Sequence, residues 1–310
     1  MDKKNSKDSP IVSVVMPAYN HERFVGVAVD SVLNQTFPDL ELIVIDDGST
    51  DRTGEIVRAR ADKRIRYYHQ DNQDAFNALN RGMDLSNGAY ISIINSDDVY
   101  AVDRLQRLVA LQRDSSAACI FTDVTPIDDN GEPLGDQQHP WTVWHERNRN
   151  YYLEGKDLYN GFLHGNYMVT TSNLFMTRAL YETVGEFCSL RYLHDYDYIF
   201  RILLAAEEST IYLHDEKLLS YRIHGANTLS AAAITGREQD RQLIRKYLIA
   251  QCPPETRAYI NTAINRLVAL EHELIEVHAA VDREAQKALA PRPNLVKRAG
   301  EKLKSAFGRG

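Results

Sequence analysis

Short apolar runs recur early in the chain, at Ile11–Met16, Leu40–Ile45, Ile65–Tyr68 and Ala89–Ile94, and helical periodicity fills the gaps between them. A run that is apolar at every position, rather than at every second one, reads as a strand buried on both faces. Between the first two runs Phe24, Val25, Ala28, Val29 and Val32 recur at helical spacing, with Asn20 placed to cap the helix and Phe37-Pro38 to stop it. Phe76, Leu79 and Met83 mark a later helix that Asn87-Gly88 closes. Strands alternating with helices build βαβ units, so the sequence predicts an α/β fold with a mainly parallel sheet covered on both faces.

In such a sheet, ligands bind in the crevice beyond the carboxyl ends of the strands. The first run is followed by Pro17-Ala18-Tyr19-Asn20, the second by Asp46-Asp47, and the last by Asn95-Ser96-Asp97-Asp98. One crevice therefore collects an aromatic ring, amides and four carboxylates. Adjacent carboxylates raise each other's cost of ionisation. A divalent cation relieves that cost, and hard oxygen ligands suit Mg²⁺ or Mn²⁺; the plainer alternative is a solvated turn whose Asp caps the next helix. No Gly-x-Gly-x-x-Gly follows a strand and there is no Walker loop, so neither a dinucleotide nor a nucleoside-triphosphate cradle is indicated.

The formal charge of −7 argues against nucleic acid as the main partner. It is unevenly spread, because residues 291–310 hold six Lys and Arg against one Glu. Cys119, Cys188 and Cys252 match no zinc spacing, and a sparse odd count fits a reducing compartment. The polar start and the lack of any apolar run near the roughly 20 residues needed to span a bilayer predict a cytoplasmic protein.

Further along, Ala118–Thr122, Leu174–Met176 and Ser209–Leu213 read as strands, and Tyr198, Ile199, Ile202, Leu203 and Ala206 as a helix. Residues 135–168, rich in Tyr, Trp, His and Asn, read as a long irregular stretch, and such stretches are usually functional. Past about residue 236 the pattern is helical until Pro291 and Pro293. The expected organisation is a polar tail over 1–9, a main domain over 10–230, a helical extension over 231–290 and a basic tail over 291–310.

Val12-Ser13-Val14-Val15-Met16-Pro17-Ala18-Tyr19-Asn20, Asp46-Asp47-Gly48-Ser49-Thr50-Asp51 and Asn95-Ser96-Asp97-Asp98 stand in an order and spacing that resembles family 2 inverting glycosyltransferases. The resemblance covers about residues 10–230 and implies the GT-A fold, with a nucleotide diphosphate sugar as donor and Mg²⁺ or Mn²⁺ as cofactor. It implies that Pro17, Ala18, Tyr19 and Asn20 pack around the base, that Asp47 hydrogen-bonds it, and that Asn72 and Arg81 lie near the sugar. By the same resemblance Asp98 is the direct metal ligand and Asp97 sits near the ribose or sugar. His224, in Tyr221-Arg222-Ile223-His224-Gly225, is either a second metal ligand or a diphosphate contact.

Asp195 stands where the family has its catalytic base; by itself it could equally cap the helix it heads. Residues two apart on a helix point in different directions, so Asp195 and Asp197 should not share the task. Arg201 could pair with a carboxylate or lie on the surface. The chain departs from the family's habit at Asn95 (often Asp), Asp74 (often Gly) and His194 (typically Glu).

The expected acceptor is a glycan or a lipid-linked molecule in cell-surface polysaccharide or glycolipid synthesis, with Trp141, Trp144, Tyr151 and Tyr152 shaping its site. The tail places Leu295, Ala299, Leu303 and Phe307 roughly on one face among basic residues. It could rest on an anionic membrane surface, at the inner face of the cell membrane, or be solvated. The apolar stripe of the long C-terminal helix is expected to pack on the main domain or in a homodimer. A sugar-phosphate nucleotidyltransferase is the enzymatic alternative, although Pro17-Ala18-Tyr19-Asn20 lacks the Gly-rich basic loop that chemistry needs. A non-catalytic nucleotide-sugar-binding scaffold is the other alternative, although it would have no use for a base.

Overall fold

The protein is described by a computed structural model covering residues 10–136, 138–190, 192–224 and 233–289. The first half of the chain supplies β1 (Val12–Ala18), α1 (Val25–Leu33), β2 (Leu40–Asp47), α2 (Thr53–Arg58), β3 (Ile65–Gln70), α3 (Ala75–Leu85), β4 (Tyr90–Ile93), β5 (Val99–Tyr100) and α4 (Arg104–Ser115). Then come β6 (Cys119–Ile127), α5 (Pro140–Gly155), α6 (Leu158–His164), β7 (Phe175–Thr177), α7 (Arg178–Val184), α8 (His194–Ala206), β8 (Thr210–Arg222), α9 (Ala233–Ala250) and α10 (Pro254–Leu289). The strands form one sheet in the order β3-β2-β1-β4-β7-β6-β8-β5. The β3-β2-β1-β4 half is wholly parallel, as the alternating pattern predicts; β7 then runs antiparallel to both β4 and β6.

Every residue of β1 and β2 is buried, which explains their apolar runs; the polar interruptions Ser13 and Glu41 are satisfied by each other (2.6 Å). Side chains alternate between faces. Val12, Val14 and Met16 meet Val25 and Val29 of α1 and Leu105 and Leu108 of α4. Val15 faces the other way, toward Leu79 and Met83 of α3 and the aromatic core around Tyr198 and Phe200 of α8. The reversal of strand order at β1, between β2 and β4, puts the ends of these strands beside a crevice.

Three expectations are corrected. Residues 135–168 are not irregular, because two helices occupy most of the stretch. Pro140 sits in the first turn of α5 with His139 capping it, and Lys156 ends it in the left-handed conformation, but only His145 and Asn148 of the helix are buried, so no apolar stripe announces it. The last strand runs on from Leu213 to Arg222, hidden in sequence by the polar run His214–Lys217. Asn20 does not cap α1: the helix starts at Val25, and Asn20 lies before it with φ 52°.

The first compact unit extends to Tyr247, past the expected limit at residue 230. Asp197 is one reason, beside the stacking of Tyr247 on Phe200 and the burial of Leu243. The buried Asp197 carboxylate accepts from Arg201 Nε (2.8 Å), Lys246 Nζ (2.8 Å) and Tyr247 Oη (2.6 Å), drawing α9 onto α8. The second unit, residues 248–310, is described through the 36-residue helix α10, on which Tyr259, Leu267, Leu274 and Val281 are exposed. The expected tails, 1–9 and 291–310, lie outside the described residues. No helix among the described residues is long and apolar enough to cross a membrane.

Candidate active site

A cavity of about 520 Å³ opens at the carboxyl ends of β1, β2 and β4. Its wall includes Pro17, Ala18, Tyr19, Asn20, Asp47, Asn72, Asp97 and Asp195, eight of the eleven residues to which the resemblance gives a base, sugar, metal or catalytic role. Volumes of about 300–1,000 Å³ are usual for small-molecule sites.

Asn20 ties the first two strand ends together: its backbone N–H donates to Ser49 Oγ (3.0 Å) and its Oδ1 accepts from Thr50 N (2.8 Å). Of the next two acids only Asp47 faces the cavity. Asp46 is buried, accepting from Ser49 N (2.9 Å) and Tyr67 Oη (2.5 Å). Asp47 Oδ1 is held by Gln70 Nε2 (2.7 Å) and Gln73 N (3.0 Å). Gly48 is needed in this turn, since its φ is +79° and a Cβ there would lie 2.8 Å from Asn72 N.

Arg81 does not reach the cavity. Its guanidinium lies over the Tyr68 ring and donates to Gln70 Oε1 (2.9 Å), so it buttresses the residue that holds Asp47. Arg81, expected near the sugar, is here engaged by Gln70 and Tyr68.

The pair Asp97-Asp98 is divided in the opposite sense to the expected one. Asp98 is 1% exposed, and its two oxygens accept from Ser172 Oγ (2.5 Å) and Arg222 N (3.0 Å). Burial first, and the Asp97 charge second, push its carboxyl well above the usual carboxylate range. Asp98 thus pins the end of β8 to the loop after β4 and does not open into the cavity. Asp97 does, and its Oδ2 lies 3.1 Å from His224 Nε2. Burial opposes ionisation of Asp97 too, but the His224 contact and the charge of nearby His21 outweigh it and hold the carboxyl below its ordinary value. Asn95 shows why an amide serves where the family often has Asp: Nδ2 donates to Thr170 Oγ1 (3.0 Å) while Oδ1 accepts from Thr171 Oγ1 (3.1 Å).

His21 was not anticipated. One ligating atom each from His21, Asp97 and His224 lie within 4.8 Å of one another. Donors bound at about 2.1–2.2 Å to one divalent ion lie at most about 4.4 Å apart, so a side-chain shift of a few tenths of an ångström closes this set on a metal. His21 stands one residue beyond the strand-end motif, and that position was its only signal in the sequence.

Asp195, in the first turn of α8, accepts from Asn166 Nδ2 (2.9 Å) and Tyr196 N (2.8 Å). Burial pushes its carboxyl above the usual range, against the opposing charge of His194 and these hydrogen bonds. Asp197 turns the other way into the α8–α9 packing, so the two acids are separated as helix geometry requires. His194 also lines the cavity, its Nδ1 3.2 Å from Leu190 O.

The tyrosines on the cavity wall are Tyr19, Tyr192 and Tyr221; Trp141, Trp144, Tyr151 and Tyr152, expected to shape the acceptor site, are not among its lining residues. Trp141 instead stacks between His145 and Tyr221. Val169, also on the wall, has φ 77°, a left-handed backbone that a β-branched residue adopts at a cost of about 1–3 kcal/mol. Such strain clusters at ligand sites.

The sheet, parallel on one side and mixed on the other, with its acid-lined crevice, defines a GT-A-type α/β enzyme. Residues 13–185 match the model described as "Glycosyl transferase family 2", and the chain belongs to that family. It is 30% identical over 236 residues to an uncharacterized glycosyltransferase of Rickettsia typhi, covering 74% of this chain and 69% of that protein. It is also 30% identical over 226 residues to the chondroitin synthase of Escherichia coli, covering 72% of this chain but only 30% of that protein. Among solved structures, S. aureus TarS with UDP-GlcNAc is similar at TM-score 0.61 and 18% identity, over 79% of this chain and 69% of that one. The mannosyltransferase PcManGT of Pyrobaculum calidifontis, solved with GDP-Man and Mn²⁺, is similar at TM-score 0.58 and 18% identity, over 97% and 81%. At these identities the structures speak for the fold.

Proposed function

We propose that this glycosyltransferase is metal-dependent and inverting, moving a sugar from a nucleotide diphosphate donor to an acceptor hydroxyl. The observation that carries the reading is that Asp97, beside His224, and Asp195 open into the same cavity. Asp97 and His224 would hold Mg²⁺ or Mn²⁺, supplying positive charge where the leaving diphosphate becomes negative. Tyr19, just past β1, and Asp47, at the end of β2, line the cavity and receive the nucleoside, while Asn72, just past β3, lines it toward the sugar. Asp195 takes the proton from the acceptor hydroxyl as it attacks the anomeric carbon from the face opposite the leaving group. A single displacement of this kind inverts the configuration.

The burial that raises Asp195's proton affinity suits it to act as a base. The acceptor is a glycan or lipid-linked molecule handled in the cytoplasm; the likeness to a chondroitin synthase supports a polysaccharide role. The test is transfer from a panel of nucleotide sugars with Mn²⁺ or with EDTA. The reading expects turnover that requires the metal and product of inverted anomeric configuration. Full turnover in EDTA, or retained configuration, would overturn it.

A further inference from the structure

His21 adds a donor that the mechanism above does not use. We infer that His21 is a direct ligand of the divalent ion and that the resulting His–Asp–His set makes this site favour Mn²⁺ over Mg²⁺. The inference rests on the metal reading of the proposed function.

Three observations support it. First, His21, Asp97 and His224 come from the loops or ends of three separate strands, β1, β4 and β8, yet one donor atom of each falls within 4.8 Å of the others. Second, both imidazoles are oriented by their surroundings. His21 Nδ1 contacts Ser96 Oγ at 2.8 Å; with the ring donating there, the lone pair on Nε2 is left for the ion. Metal-ligating histidines are typically held through their other ring nitrogen in this way. The His21 backbone is tied to Thr53 Oγ1 (2.8 Å). The Phe24 ring packs against both His21 (6.0 Å) and His224 (5.1 Å), and is itself covered by Arg222 (4.8 Å). Third, the chemistry of the set discriminates. Mg²⁺ prefers oxygen ligands and a near-ideal octahedron, whereas imidazole suits the transition metals. Two imidazoles and one carboxylate therefore move the preference from Mg²⁺ toward Mn²⁺.

The experiment titrates Mn²⁺ into the full chain, counting free ion by electron paramagnetic resonance, with Mg²⁺ affinity read by competition. Electron spin-echo envelope modulation of the bound Mn²⁺ then counts directly bound ¹⁴N. His21→Ala and His21→Gln are compared with wild type; the Gln variant can keep the Ser96 contact. The expected result is tighter wild-type binding of Mn²⁺ than of Mg²⁺ with two imidazole nitrogens on the ion. In both variants one nitrogen remains, and Mn²⁺ affinity falls about tenfold or more while Mg²⁺ affinity changes less. Unchanged affinity and two nitrogens in both variants would overturn the role of His21 while leaving the metal reading intact. A wild-type chain that binds no Mn²⁺, with or without a nucleoside diphosphate, would overturn both.

Discussion

Asp195→Asn separates the chemistry of the site from its architecture. Asp195 uses one oxygen for Asn166 Nδ2 at 2.9 Å and the other for Tyr196 N at 2.8 Å. An amide keeps one of these acceptors and presents an NH₂ to the other donor, so one hydrogen bond is lost at a cost of about 0.5–1.5 kcal/mol. A missing general base costs about 10²–10⁴ in rate, or roughly 2.7–5.4 kcal/mol of barrier. The catalytic loss therefore exceeds the structural one several-fold. Asp195 belongs to α8 and is not among the residues assigned to the nucleoside, Tyr19 and Asp47 at the β1 and β2 ends, so donor affinity should stay close to wild type. The assays are kcat for transfer, donor Kd by calorimetry, and the midpoint of guanidinium unfolding. Turnover within about threefold of wild type, or donor binding lost in step with kcat, would refute the assignment of Asp195 as base.

Because burial raises the Asp195 carboxyl and the base must be ionised, kcat/KM should fall as the pH drops through that raised value; the acid limb of the profile should lie above the ordinary Asp value of about 3.9 and be absent from the residual activity of Asp195→Asn. Asp197→Ala leaves Arg201 and Tyr247 facing a vacated buried site and should cost about 3 kcal/mol by chemical denaturation. Since its partners hold Asp197 below the ordinary carboxylate value, that contribution is complete near neutrality and lost as the pH falls through the lowered value, so the gap between wild type and variant should close in acid. Gly48→Ala meets both the positive φ and the 2.8 Å approach to Asn72 N, and should lose about 1–3 kcal/mol of stability and weaken donor binding.

The parallel half of the sheet was legible because β1 and β2 are buried along their whole length and so carry largely apolar runs. The strand-end acids were legible because topology sends every residue just after such a strand to one crevice. What the sequence could not show is which of two adjacent acids turns inward. Asp98 is captured by Ser172 and Arg222, more than seventy residues away, and only their arrival leaves Asp97 for the cavity. The same holds for Arg81, whose reach is taken by Gln70 and Tyr68. Helix α5 was missed because its buried positions, His145 and Asn148, are polar and leave no periodic signal. His21 has no pattern of its own; its meaning comes from the meeting of three strand ends.

In the proposed mechanism a divalent ion at Asp97 carries the donor's diphosphate. Calorimetric titration of nucleoside diphosphates (UDP, GDP, CDP and dTDP) into wild type and Asp97→Ala, each with Mn²⁺ and with EDTA, tests it most directly. The account predicts that at least one binds wild type at least about tenfold tighter with Mn²⁺ than without, and that Asp97→Ala abolishes this difference. Equal affinity with Mn²⁺ and with EDTA in wild type, or an undiminished Mn²⁺ effect in Asp97→Ala, would contradict it.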